Sequence, residues 1–220
     1  AEKYLKRIPI EVAQKFKEYY EVVFQGVQPT PSQKIIDKFF GTILLILSSP
    51  FMLIISLAIL IEDGKPIIYK QKRMGKDEKI FIMNKFRSLK EAEINQNDPN
   101  VDIEKRVLKS GKIIRKLRLD ELPQFWNIIK GNMSIVGPRP EMLEFHNIMS
   151  SHIPFYNYRL KLNPGITGWA QIHYKHTSTL EDYIKKTEYD LYYVKNRSLI
   201  LDIQIMLKTL ETMLGMRGAR

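Results

Sequence analysis

The first signal along the chain is an unbroken apolar run. From Phe39 to Ile61 the sequence FFGTILLILSSPFMLIISLAILI carries no charged residue, and about 20 apolar residues in a helix suffice to cross the hydrocarbon core of a bilayer. Ser48, Ser49 and Pro50 sit at its centre. Proline has no N–H to donate and its ring crowds the preceding turn, so the run predicts either one kinked helix or two half-length helices broken at Ser49-Pro50. A buried core helix is the bland alternative, but so long an uncharged stretch exceeds what a small domain usually encloses.

On either side the period changes. Upstream, EVAQKFKEYYEVVF has the spacing of a short amphipathic helix, and Pro29 and Pro31 mark a linker after it, so residues 1–33 are expected to be a lead-in rather than a domain. Downstream, PIIYKQ and KIFIMNKFRS are strand-like runs around RMGKDE, whose Gly75 suits a hairpin. Alternation in the second run puts Lys85 and Arg87 on one face, either as two cations meeting one phosphate or as a solvated strand face. Glu91 to Glu104 is polar and reads as a surface loop. A helix is expected through IIRKLR after Gly111, and another from near Asp120 to Gly131, a natural residue to follow a helix end. EDYIKKTEYDLYYVKN and SLILDIQIMLKTLETML read as two more helices whose apolar stripes face core or, in part, lipid. The expected fold is α/β, mostly helical with a small β element, divided into a lead-in (1–33), a membrane anchor (34–62) and a globular domain (63–220).

Charge sharpens this picture. Lys34 and Lys38 precede the apolar run, and Lys65, Lys70, Lys72, Arg73 and Lys76 follow it. Short basic flanks stay on the cytoplasmic side, so a helix crossing once would put one flank on the wrong side, whereas a re-entrant hairpin satisfies both. Over the whole chain 35 Lys and Arg outnumber 24 Asp and Glu, which favours anionic partners without choosing among phosphates, nucleic acid and acidic lipid. Cysteine is absent, which excludes disulfides, thiolate metal sites and a Cys nucleophile. Residues 1–33 lack the order of a signal peptide.

The candidate chemistry centres on Asp120 and Glu121. Asp120 precedes the expected helix LPQFWNIIK and could be an N-cap and nothing more. A helix N-terminus also favours an ionised carboxylate and attracts phosphate oxygens, so a low-pKa nucleophile is the functional alternative. With Glu121 beside it and cations at Lys85, Arg87, Arg115, Arg118 and Arg139, the region could hold Mg²⁺ and a diphosphate.

These residues carry a family resemblance. RLDELPQFWNIIKGNMSIVGPRPE, with KFRS upstream and PGITGWAQ at 164–171, resembles the bacterial sugar transferases, the monotopic polyprenyl-phosphate phosphoglycosyl transferases, over about Lys34 to Arg220. The resemblance implies a re-entrant membrane helix broken at a Ser-Pro pair, here Ser49-Pro50, with both ends at the cytoplasmic face of the bacterial inner membrane. It implies that Asp120 attacks the phosphosugar phosphate of a UDP-sugar, releasing UMP, and that undecaprenyl phosphate then takes the phosphosugar from Asp120. This would be the first membrane step of exopolysaccharide, capsule or O-antigen assembly. Glu121 would coordinate Mg²⁺, Arg139 of Pro138-Arg139-Pro140 would hold a phosphate, and Lys85, Arg87, Arg115 and Arg118 would support it. Gly165, Gly168 and Gln171 look like part of a substrate-side loop. The chain's ending looks like the exopolysaccharide branch, whose members commonly use UDP-glucose or UDP-galactose. EKYLKRIPIE resembles the segment joining a catalytic unit to an N-terminal membrane domain, so a catalytic fragment is expected. Association of like chains is left open.

Four other readings compete. His173 and His176 lack a third ligand at zinc spacing, so an interface or substrate-loop role is preferred. A nucleic-acid binder would explain the charge but not the apolar run. A non-catalytic scaffold for glycan assembly, or a membrane phosphohydrolase with water as acceptor, would keep the fold and change the chemistry.

Overall fold

The computed structural model describes residues 2–90, 106–174 and 178–213; the polar stretch 91–104 and His176 lie outside them. The chain opens with three short helices, α1 (Glu2–Leu5), α2 (Ile10–Lys15) and α3 (Lys17–Gln25). The long helix α4 (Pro31–Asp63) follows, then an antiparallel hairpin of β1 (Ile68–Met74) and β2 (Ile80–Phe86). After it come α5 (Lys109–Lys116), α6 (Gln124–Ile129), β3 (Ser134–Val136) and α7 (Leu143–His152). The last elements are β4 (Gly165–Thr167), α8 (Trp169–His173), α9 (Leu180–Asn196) and α10 (Leu199–Met213). The molecule is mostly helical with a small β element, as the pattern predicts.

The apolar run forms one continuous helix. Pro50 lies inside α4 without ending it, so two separate half-helices are not what these residues form here. The reason is local: Pro50 cannot donate to the carbonyl four residues back, at Ile46, and Ser49 Oγ donates to that oxygen instead, at 2.7 Å. One stripe of α4, at Asp37, Gly41, Ser48, Ile55 and Ile59, is buried against the rest of the protein. The other faces leave Phe39, Phe40, Ile46, Leu47, Phe51, Ile54, Leu57 and Ile61 exposed.

Both ends of α4 are tied to the same globular body. Near its start Asp37 accepts hydrogen bonds from Ser134 Oγ at 2.6 Å and Ile135 N at 3.0 Å. Near its end Asp63 pairs with Arg87, and Arg87 also donates to the Asp63 and Gly64 carbonyls at 2.9 and 2.8 Å. Ile55 and Ile59 pack there with Phe86, Leu108 and Ile114.

The lead-in is part of the main core. Ile8, Ile10, Ala13, Tyr20 and Phe24 pack with Tyr156, Trp169, Leu191, Tyr193 and Ile205, and Trp169 Nε1 donates to the Lys6 carbonyl at 2.8 Å. The expected amphipathic helix exists, divided at Phe16 into α2 and α3.

Three-residue strands β3 and β4 pair in parallel, joined by a crossover that contains α7. Their backbones touch: Gly137 N donates to the Thr167 carbonyl and Gly165 N to the Pro138 carbonyl, each at 2.9 Å. A Cβ on Gly165 would lie 2.1 Å from Gly137 N, so only glycine allows the crossing. This close approach accounts for the glycine at 165, and it fixes the start of Pro138-Arg139-Pro140.

Candidate active site around Asp120 and Glu121

Helix α6 is pinned to β2 by Asn127. Its Oδ1 accepts from Asn84 N at 3.1 Å, and its Nδ2 donates to the Ile82 carbonyl at 2.6 Å. Lys85 is the next residue on that strand, so the segment just before α6 comes to rest against it. There Asp120 and Glu121 lie in a single 3₁₀ turn, Leu119–Glu121, entered through Arg118 in a left-handed conformation (φ 54°). Pro123, not Asp120, precedes α6 as its cap residue, and no side chain caps that end. The expected N-cap role of Asp120 is therefore corrected: Asp120 lies within the turn, three residues before Pro123.

The two carboxylates differ in environment. Glu121 Oε1 receives Lys85 Nζ at 3.0 Å and Arg139 Nη2 at 2.9 Å. Burial alone would push its carboxyl up, but Arg139 and Lys85 outweigh this and bring it down to about 2. Asp120 has Lys85 Nζ at 4.0 Å from Oδ2. Burial raises its pKa; Lys85 opposes and Glu121 adds to the rise. The low-pKa carboxylate expected at Asp120 is thus found at Glu121, because Glu121 holds the cations.

Of the other residues singled out from the sequence, Arg139 joins this set and Arg115 lies near enough to lower the Asp120 pKa. Arg118 is exposed beside the turn. Arg87 does not face the pair: it sits past the last residue of β2, buried, with its guanidinium turned to the end of α4. Gln171 Nε2 donates to the Ile166 carbonyl at 3.0 Å, and His173 stacks against Trp169 and Tyr189. Neither reaches the carboxylates through any hydrogen bond among the described residues.

The sequence matches a known family. A model of the bacterial sugar transferases matches residues 29–216. The chain belongs to that family. It is 45% identical over 175 residues to a UDP-N-acetylgalactosamine-undecaprenyl-phosphate N-acetylgalactosaminephosphotransferase of Aeromonas hydrophila, covering 79% of this chain and 41% of that protein. It is 41% identical over 182 residues to the UDP-glucose:undecaprenyl-phosphate glucose-1-phosphate transferase of Escherichia coli K12, covering 79% of this chain and 38% of that protein. It is also 35% identical over 190 residues to the uncharacterized sugar transferase EpsL of Bacillus subtilis, covering 84% of this chain and 89% of EpsL. The chain thus spans about two fifths of the first two relatives and most of the third.

Within this bacterial sugar transferase, sequence reasoning missed the charges that hold the Arg139 loop. Arg159 is 2% exposed; it donates to the Arg139 carbonyl at 2.9 Å and to Asp190 Oδ2 at 2.7 Å. Glu141 is held by Lys186, and Arg159 Nη2 lies 4.0 Å from it. A buried charge survives only with partners of this kind. A signal was present: Asp190 stands in the same stripe of α9 as Thr187, Leu191 and Val194, where a carboxylate is out of place unless paired. Gln124 was missed too. It is 2% exposed, one turn after Glu121, with Nε2 unpartnered among the described residues.

Proposed function

We propose that this bacterial sugar transferase moves a sugar-1-phosphate from a UDP-sugar to undecaprenyl phosphate. The observation that carries the proposal is the division of labour between adjacent carboxylates: Glu121 binds both cations, while Lys85 approaches Asp120 only to 4.0 Å. Asp120 is therefore the carboxylate free to attack. Its oxygen forms a bond to the phosphorus that bears the sugar, and the bond from that phosphorus to the bridging oxygen breaks, so UMP departs with the electron pair. An oxygen of undecaprenyl phosphate then attacks the same phosphorus. Asp120 leaves as carboxylate, and undecaprenyl-diphosphate-sugar is the product. Arg139 and Lys85 neutralise phosphate charge while the bonds exchange.

The residues fit Mg²⁺ in its usual mode, one or two carboxylates with substrate phosphates completing the shell. Glu121, whose contacts with Lys85 and Arg139 both fall on Oε1, offers its second oxygen. When bound, the ion would screen the diphosphate and ease the departure of UMP.

The names of the relatives include glucose and N-acetylgalactosamine transferases, so UDP-glucose, UDP-galactose and UDP-N-acetylgalactosamine are the donors to test. Residues 34–62 serve as the anchor and 63–220 as the catalytic domain, whose core the lead-in (1–33) completes. Helix α4 would bend at Ser49-Pro50 without breaking, entering the cytoplasmic leaflet of the inner membrane and returning, a reading supported by the attachment of both its ends to one body.

The test is intact-protein mass after mixing detergent-solubilised protein, Mg²⁺ and each UDP-sugar without lipid acceptor. A phosphosugar adduct on wild type, absent from Asp120→Asn and discharged by undecaprenyl phosphate, is expected. UMP release that needs Asp120 but leaves no adduct would replace the covalent step by direct transfer. Release of free sugar phosphate without acceptor would indicate a hydrolase, and no UMP with any donor a scaffold.

A further inference from the structure

Strand β1 carries a cation that none of the preceding roles uses. Its residues Tyr69, Gln71 and Arg73 lie opposite Lys85, Met83 and Phe81 of β2, and residues directly opposite in an antiparallel pair share a face. Phe81 and Met83 of that face are buried, and Lys85 reaches Glu121. Arg73 therefore belongs to the face that looks toward the carboxylates.

Its guanidinium is held by neutral groups. Nε and Nη2 donate to Gln71 Oε1 at 3.1 and 2.6 Å, and Nη1 donates to the Pro140 carbonyl at 3.2 Å. A guanidinium has five N–H donors, and these contacts use three, leaving one on each terminal nitrogen. Among the described residues no carboxylate comes within ion-pair distance of it; Glu121 is held by Arg139 and Lys85, and Glu141 by Lys186. Arg73 nevertheless feels the charges of Glu141, Arg139 and Glu121, and burial lowers its pKa. A half-buried cation beside a second cation, with two donors to spare and no counter-ion, is arranged for an anion from outside.

We infer that Arg73 is a substrate-binding residue, a second guanidinium that works with Arg139 to take oxygens of the donor's diphosphate. This rests on the transferase reading. Arg139 and Arg73 meet at one loop: Arg159 holds it at the Arg139 carbonyl, and Arg73 bonds to it at the Pro140 carbonyl. Gln71 orients the fork.

The test compares wild type, Arg73→Lys and Arg73→Gln as the whole chain in detergent with Mg²⁺, measuring UDP and uridine binding by calorimetry and ligand-free unfolding temperature. Loss of one or two charge-assisted hydrogen bonds should weaken UDP binding about 10- to 100-fold, more for Gln than for Lys. Uridine binding should stay unchanged, and so should the unfolding temperature of Arg73→Lys. With a UDP-glucose donor the KM should rise more than kcat falls. Wild-type affinity for UDP in both variants, with only a lower unfolding temperature, would make Arg73 a clasp between hairpin and loop and overturn the inference. Should Arg73→Gln not fold, Arg73→Lys still decides. Absence of UDP binding by wild type would overturn the transferase reading as well, a different outcome from equal binding by all three.

Discussion

At the scale of single residues, the pKa values of the two adjacent carboxylates are shifted in opposite directions, and each shift has a measurable consequence. The Glu121 pKa is depressed, so its contribution to stability is present above the usual Glu range and lost as pH falls toward 2. A depression of this size corresponds to roughly 3 kcal/mol. Chemical denaturation between pH 5 and pH 2 should therefore cost wild type that much more stability than Glu121→Gln, and parallel curves for the two would refute the assignment. Asp120 is raised by burial, so its stability contribution runs the other way, present at low pH and lost as it ionises. Under the proposed function Asp120 attacks phosphorus and must be ionised, so the acid limb of the rate profile should belong to it. Lys85 lowers that pKa; Lys85→Met should move the acid limb of UMP release to higher pH, as well as slowing the reaction. A limb that stays in place would mean that another group controls it. The pair itself was legible in the sequence, as were Lys85 and Arg139. The assignment of the low pKa was not, because it depends on which oxygen the cations reach, and that is set by the turn Leu119–Glu121 and by Asn127.

At the scale of elements, periodicity found the long helices and the hairpin, whose signals extend over many residues. It did not find β3 and β4, three residues each, where the information lies in two glycines that let distant backbones touch. It also read residues 1–33 only as a lead-in, although Trp169 and Glu188 bind the backbone of Lys6 and Ile10, contacts across more than 160 positions that no local pattern contains. The central Ser-Pro pair was legible as a disturbance; that Ser49 would supply the hydrogen bond missing at Ile46 was not. A mutant cycle tests this compensation. Ser49→Ala alone leaves a carbonyl unpaired in an apolar setting and should cost about 1–3 kcal/mol. In a Pro50→Ala background the restored N–H serves that carbonyl, and Ser49→Ala should then be nearly neutral. Equal costs in both backgrounds, measured by thermal unfolding in lipid nanodiscs, would show that Ser49 has no such role. Packing of the helix start is tested separately: a Cβ on Gly41 would approach Ile128 Cγ2 to 3.0 Å, so Gly41→Leu should destabilise by about 1–3 kcal/mol through overpacking.

At the scale of the whole molecule, the arrangement of α4 decides which side of a membrane each part occupies. A helix of this length and composition can cross a bilayer, and length alone would favour crossing. Crossing would put Asp37 and Asp63 on opposite sides of the hydrocarbon layer, about 30 Å thick. Yet Asp37 bonds to β3, Asp63 to Arg87, and Ile55 and Ile59 pack beside Phe86 and Leu108. A protein cannot keep all of these contacts with its body on one side and one helix end on the other. The exposed apolar faces still need an apolar solvent, and a shallow entry with return satisfies both demands. Lys34 and Lys65, one near each end of α4, should therefore lie on the same side. Because the chain has no cysteine, Lys34→Cys and Lys65→Cys each give a single reactive site without further engineering. In intact inner-membrane-derived vesicles of known orientation, a membrane-impermeant maleimide should label both variants or neither. Labelling of one alone would mean that α4 crosses, that the contacts of Asp37 or Asp63 are broken in the bilayer, and that the site could not be held as described on one face.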